Sequence, residues 1–563
     1  MVLNAHGFGG NHTMAADMIV YGKIYTANAA HDTVEAFAVK NGKFVYVGDT
    51  AGVKKYEGRE TKIIHTEFAM PGGIEAHGHY ISEGAFKLGC YLDPTKDTPN
   101  GSTLKMPEDY IEDLKKWRTA HPDEKGIYAY PYASELVIGG VKLTREILDA
   151  AFPDIPVYIS EASLHGGWCN TKCLELAGVL NMQVPVETIH RDENGVAVGT
   201  VRDEACAYVR NRVFGAFLDD TLYKLAVKNT AQLLNSMGYV AHYDAWSNLD
   251  GTDAMYRAIS SVDKDGDATC LFASAYCIES FEDCNEGILN AAVLKNKYRS
   301  SHYYPIFVKL FADGIVESMT GYVTEPYFDG SYGTRIWEPE VMNDIVTKAN
   351  AAGMLVHSHV YGDAASNEAI NAYIESEKIN GRIYRNSLGH AAMIQDEDYP
   401  RILEHGIGVA FAGNWSAGLE VGEVNPVTDK VGAARLQAEY PVEQFAQYGI
   451  KAATSTDRPC GTSTDAQAVF EYLGVLVTGN DYVHGVNPVA KRDKHVSVRE
   501  GLDMLTINGA WMVELENERG SIEVGKYADF LIADASPFEV DPKQICKIKL
   551  LETYFEGRQV YRC

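Results

Sequence analysis

The sequence predicts an α/β fold: a (β/α)8 TIM barrel, a small β-sandwich domain built from both termini, and an insertion after barrel strand one. Three observations carry this prediction. Eight short β-runs alternate with helical stretches, the pattern of a parallel sheet covered by helices. Polar residues cluster toward the ends of those runs, where barrels keep their chemistry. Two β-rich segments of similar style open and close the chain.

Residues 17–48 (DMIVYGKIYTANAAHDTVEAFAVKNGKFVYVG) alternate short strands with Gly and Asn-Gly turns. Residues 520–560 repeat that style, from GSIEVGKYADFLIADAS to KLLETYFEGRQVY. Neither piece has enough strands to bury a face alone, because an isolated hairpin is marginal in water. The expected solution pairs residues 16–70 with 515–563 in one β-sandwich. Residues 1–15 read as a polar, Gly-rich tail or cloning remnant outside the fold.

The barrel is expected over 71–514. Its strands are GGIEAHGH (72–79), GYVAHYDA (238–245), CLFASAYC (270–277) and PIFVKLFADG (305–314). MLVHSHVYG (354–362), NSLGHAAM (386–393), GVAFAGN (408–414) and KAATSTD (451–457) complete the set. Eight is the number that closes such a barrel. The stretch 80–237 is too long for one βα unit and has strands of its own (GIYAYPYA, PVYISEA). It is expected to contain an inserted, lid-like subdomain. IEDLKKWRTA and LYKLAVKNTAQLLNSM read as helices by their apolar spacing.

Composition excludes several classes. With 46% hydrophobic and 10% aromatic residues among 563, the chain is not disordered. Its 77 acidic against 50 basic side chains would repel nucleic-acid phosphates. No run approaches the roughly 20 apolar residues that span a bilayer. The N-terminus lacks a basic start and an apolar stretch, so no signal peptide is expected and the expected location is cytoplasmic. The ten Cys match no zinc-module spacing and read as small buried hydrophobes in a reducing compartment.

His77 and His79 are two apart on a strand and so share a face, where two imidazoles can hold one cation. Lys309 lies mid-strand among Phe307, Val308, Leu310 and Phe311, a place that does not welcome a lone ammonium. One reading has it snorkel to the rim. The other has it neutral and nucleophilic, reacting with CO2 to give an anionic carbamate that bridges two metals. His359, His390 and Asp457 fall at the ends of strands five, six and eight. His357 shares a face with His359, so the choice within that pair stays open.

The motifs PGGIEAHGHY, VKLFADG, HVYGDAA, GHA and TSTDRP together resemble those of the amidohydrolase superfamily, in its amidohydrolase-3 or YtcJ-like branch. The resemblance runs from about Asp17 to Val560. It implies His77 and His79 on a first metal, carboxylated Lys309 as the bridge, and His359 and His390 on a second metal. Asp457 would ligate the first metal and act as acid/base. It also implies the sandwich of both termini. HGGWCNTKCLELAG (165–178) resembles a substrate-side segment of the family. Glu75 stands where Asp is usual, Gly389 where Glu is common, and TSTD replaces Gly-Ser-Asp. None of these removes a ligand; together they point to a divergent pocket.

Substrate-side candidates are His165, Trp168 and Asn170 in the insertion, with local capping and packing as the alternative. His242 shares its face with Asp244 and could support ligands from behind. Arg458 could receive a substrate carboxylate or neutralise a nearby acid; Trp415 could supply an aromatic wall or only pack.

The expected reaction is hydrolysis of a non-peptide C–N bond in a small organic amide through a metal-bridging hydroxide, Asp457 carrying the proton. The expected cofactors are two Zn2+ per chain, with Mn, Fe or Co as substitutes, and the carbamate on Lys309. A homodimer is compatible with the sequence. The alternatives are a mononuclear deaminase acting on a cyclic amidine or heterocycle, and a non-catalytic scaffold of the same fold.

Overall fold

The computed structural model describes residues 15–98, 101–133, 138, 140–181, 188–279, 283–417, 428–460, 467–480 and 495–563. All eight expected barrel strands are present, parallel and hydrogen-bonded in chain order. They are Gly73–Gly78, Tyr239–Asp244, Leu271–Cys277, Tyr303–Phe311, Leu355–Val360, Ser387–His390, Gly408–Phe411 and Ala452–Thr454. The ladder stops between strands eight and one. There the chain just past strand eight completes the ring: Asp457 N–H donates to His77 O at 3.1 Å, and Thr456 N–H to the Glu75 carboxylate at 3.0 Å.

Strand alternation decides what fills the lumen. Phe307, Lys309 and Phe311 project to one side of strand four, and Leu355, His357 and His359 to one side of strand five. The lower layer is apolar: Ile74, Tyr243, Phe307, Leu355 and Ala453 pack with Met512 from the last barrel-associated helix. Tyr243 and Phe307 rings meet at 4.6 Å. The imidazoles and Lys309 therefore stand on a packed floor.

Local signals set where the second strand begins. Asp219 caps helix Asp220–Met237 by accepting from Leu222 N–H at 2.9 Å, and Gly238 ends it in the left-handed conformation, φ 94°. Strand two starts at the next residue. Helices Tyr80–Leu88 and Asp220–Met237 pack in the outer core. Between them lies a six-stranded sheet, from Cys90–Tyr91 to Ala197–Arg202, with its own two apolar clusters. Only two of those six strands were legible in the sequence.

Strands from both termini join one seven-stranded sheet, in which Lys62–Pro71 pairs with Met18–Tyr25 on one side and Phe530–Ala533 on the other. The sheet curls: Phe44 N–H donates to Lys526 O, and Gly525 N–H to Phe44 O. Phe37, Phe44, Phe530 and Tyr554 fill the curl, the last two rings stacked at 4.3 Å. Of the expected tail, all but Ala15 lies outside the described residues.

Candidate metal centre

A cavity of about 710 Å³ opens at the C-terminal ends of the strands. All six residues expected to hold metal line it: His77, His79, Lys309, His359, His390 and Asp457. Three contribute atoms within 4.8 Å of one another, namely His77, His390 and Asp457. The Asp457 carboxylate lies 3.3 Å from His77 Nε2, 3.5 Å from His79 Nε2 and 4.0 Å from His390 Nδ1. The rings of His359 and His390 sit 4.6 Å apart.

The electrostatics suit a cation. Burial pushes Asp457 up, but His390, His77 and His79 together hold it well below the ordinary carboxylate range. Burial, reinforced by neighbouring cations, drives His77 and His359 well below the ordinary imidazole value, and His390 is pushed down to about 3. At neutral pH an ionised Asp457 carboxylate thus faces neutral His77, His359 and His390, the protonation states a divalent metal needs. Asp457 Oδ1, His390 Nδ1 and His79 Nδ1 are buried without a hydrogen-bond partner among the described residues. Such orphaned atoms are costly unless something binds them. The residues present therefore fit a metal ion. Burial also depresses Lys309 to about 8, and no carboxylate forms an ion pair with it among the described residues.

Backbone and supporting side chains fix these groups. His390 and Asp457 both adopt positive φ, 67° and 52°, uncommon for side-chain-bearing residues and held by the strand-end hydrogen bonds. Asp313 accepts from His359 Nδ1 at 3.2 Å and from the N–H groups of Tyr322, Tyr361 and Gly362 at 2.9, 3.0 and 2.8 Å. That bond leaves His359 Nε2 for the cavity. His357 lies deeper than His359: its Nε2 meets His77 Nδ1 at 2.8 Å and its Nδ1 meets Ser387 Oγ at 2.7 Å. Both of its nitrogens are engaged, whereas His359 keeps one free.

The substrate-side expectations divide. His165 lines the cavity, its Nδ1 bonded to Asp203 at 2.8 Å and its ring 5.6 Å from that of His359. Burial lowers its basicity, but the Asp203 carboxylate more than reverses this. Trp168 is corrected: it is fully buried in the insertion's core, its Nε1–H donating to Thr144 O at 2.9 Å. Asn170 is corrected too. It caps helix Thr171–Ala177, accepting from Cys173 and Val157 N–H and donating to Phe152 and Ile155 carbonyls. His242 does not reach the cavity but lies behind Gly78, with Tyr80 edge-on at 5.3 Å. Arg458 grips Glu83 through two hydrogen bonds, at 2.6 and 2.9 Å, so it neutralises a local acid. Trp415 stacks on His390 at 6.0 Å as a wall one layer back.

Sequence reasoning missed the cavity's apolar side, formed by Trp246, Ile278, Phe311, Ile336 and Trp337. It also missed Asp313 and Asp203. Asp313 had a signal, standing two residues after the end of strand four in KLFADG. Asp203 had none, since its meeting with His165 depends on pairing inside the insertion.

Residues 67–561 match the profile of the Amidohydrolase family. The chain belongs to that family. It is 25% identical to the YtcJ amidohydrolase of Bacillus subtilis over 96% of this chain and 98% of that one. The N-substituted formamide deformylase of Arthrobacter pascens is 22% identical, covering 96% of this chain and 97% of its own. A metal-dependent hydrolase from Pyrococcus furiosus superposes with a TM-score of 0.68 at 21% identity, covering 93% of this chain and 99% of that chain. The family makes this amidohydrolase a metal-dependent hydrolase acting on C–N bonds. No helix among the described residues is long and apolar enough to cross a membrane.

Proposed function

We propose that this amidohydrolase cleaves the C–N bond of a small organic amide bearing an apolar or aromatic group. The observation that carries the reading is the ionised Asp457 carboxylate buried among neutral imidazoles, facing Lys309 across a cavity with one aromatic side. In this reading His77, His79 and Asp457 hold a first divalent metal, and His359 and His390 a second. Lys309, neutral above about pH 8 and without a carboxylate ion pair among the described residues, is the group that would take up CO2 and bridge them as a carbamate. Zn2+ suits such a donor set, with Mn, Fe or Co as substitutes. A bound metal of this kind supplies Lewis acidity and makes water nucleophilic near neutral pH.

The chain's own groups do the rest. Asp457 accepts the proton of the attacking water and hands it to the departing nitrogen, which leaves poorly as an anion. His165, steadied by Asp203, offers its second nitrogen to the acyl side. Trp246, Phe311 and Trp337 hold the apolar group and exclude water. Similarity to an N-substituted formamide deformylase supports an N-substituted amide.

A second reading, a mononuclear deaminase, draws on the compactness of the His77, His390 and Asp457 group, which by itself suits one ion. A relative named 5-methylthioadenosine/S-adenosylhomocysteine deaminase, from Thermoanaerobacter pseudethanolicus, matches 40% of the chain at 28% identity. Metal analysis after gentle purification separates the two, with two ions per chain expected. A screen of N-formyl and N-acyl amines, read by amine release, then tests the substrate class. Lys309→Ala should lose metal and activity together and regain part of both with short carboxylic acids. Full metal content and normal rate in that variant would sink the binuclear reading.

A further inference from the structure

The opposite end of the barrel carries a second cavity, about 530 Å³, reached from the N-terminal ends of strands four and five. Lys309 and Tyr304 sit five positions apart on strand four, so the two cavities are separated by roughly 17 Å of strand. The floor of this one is apolar, made by Ile306, Leu355 and Leu515. Its rim is not. Lys295, Arg299 and Arg382 face the space, with Glu514 as the one acid among its lining residues. In a chain of formal net charge -27, three cations around one hollow reverse the prevailing sign.

Their arrangement resembles a receptor more than a chance cluster. The Arg299 guanidinium lies 5.0 Å from the Tyr304 ring centroid, and that of Arg382 lies 4.3 Å from the Tyr384 centroid. A guanidinium held over a ring face keeps N–H donors available for another partner. Neither arginine has a carboxylate partner among the described residues. Lys295 gives one hydrogen bond to Gly353 O at 2.5 Å and retains further N–H donors. Lys295 and Arg299 close helix Cys284–Tyr298, and Arg382 follows helix Asp363–Asn380. The negative ends of those helices make the clustering tolerable but give the guanidinium edges no acceptor.

We propose that this cavity binds a phosphate dianion, either free or as the head of a small phosphate ester whose organic part lies on the apolar floor. Two guanidinium forks and an ammonium suit a multiply charged tetrahedral anion better than a single carboxylate. Glu514 opposes the anion and sets a ceiling on affinity.

The test is thermal melting of the full-length protein with inorganic phosphate or phenyl phosphate, at ionic strength held constant with chloride. A saturable rise in melting temperature is expected. Half-saturation should move at least tenfold higher in the Arg299→Ala/Arg382→Ala double variant and lower in Glu514→Gln. Both arginines are exposed, so the double variant should fold and retain hydrolytic activity. Tighter binding of phenyl phosphate identifies an ester; tighter inorganic phosphate identifies the free ion. A rise no larger than chloride alone gives would overturn the proposal. So would a rise left intact in the double variant, which would place the anion elsewhere, the metal centre included.

Discussion

His357 Nε2 lies 2.8 Å from His77 Nδ1, and His357 Nδ1 lies 2.7 Å from Ser387 Oγ. If Ser387 accepts, His357 Nε2 is left as an acceptor and His77 must carry its proton on Nδ1. His77 Nε2 then faces Asp457 with a free lone pair. His357→Leu should therefore lower metal affinity by about 10–100-fold without removing a ligand. Competition against a chelator measures it, and unchanged affinity would mean that His77 is oriented by something else.

Lys309 makes the metal-free protein less stable than its packing allows. Burial moves its pKa from 10.5 to about 8, which at full burial costs about 3 kcal/mol. Lys309→Met should stabilise the metal-free protein at pH 7 by about 1–3 kcal/mol while abolishing activity. Below pH 8 the ammonium is charged in both states and the full cost applies. Between pH 8 and 10.5 the folded state releases its proton first, so the wild type gains on the variant as pH rises. Urea melts of chelated protein at pH 7 and pH 10 would show both effects; a destabilised Met variant at pH 7 contradicts the reading.

In the proposed mechanism, Asp457→Asn removes the proton carrier and keeps the shape. Turnover should fall by at least about 10²–10⁴-fold, with at least one metal retained. The pairing of the metal content with single-turnover rates is the measurement. A rate within a few-fold of wild type would assign the proton to another group.

Two tryptophans should behave oppositely. Trp337 lines the cavity, so Trp337→Ala should raise KM for an aromatic substrate more than it lowers kcat. Trp168 is enclosed in the insertion's core, so Trp168→Ala should cost about 3–5 kcal/mol of stability and leave KM unchanged. Equal effects on KM would mean that the insertion's core reaches the substrate.

The barrel was legible because each strand is a short apolar run ending in residues that an apolar core would reject. Lys309 between Phe307 and Phe311 is the plainest case. Strand order then brought six dispersed polar residues to one cavity, as a parallel ring requires. The insertion was not legible in the same way. HGGWCN reads like a substrate loop, yet Gly166–Cys169 is a strand whose Gly167 lies against the Tyr158 ring while Trp168 turns inward. Which face of a short strand is buried depends on its neighbours, and those lie as far away as Ala197–Arg202. Arg458 stayed open between two readings for a related reason: Glu83, the acid it neutralises, is 375 positions earlier.

The sheet shared by the two termini imposes a schedule on the growing polypeptide. Strand Lys62–Pro71 has Phe530–Ala533 as its neighbour on one side, about 460 residues downstream. At roughly 5–20 residues per second of synthesis, that edge stays open for about 20–90 s. Throughout that interval the nascent chain offers Phe68 and Met70 on a strand with one open edge, a template for association with other chains. Truncation anywhere before Phe530 would make that interval permanent, so premature stops near the C-terminus should yield aggregates even though every residue lining the metal-centre cavity is already in place.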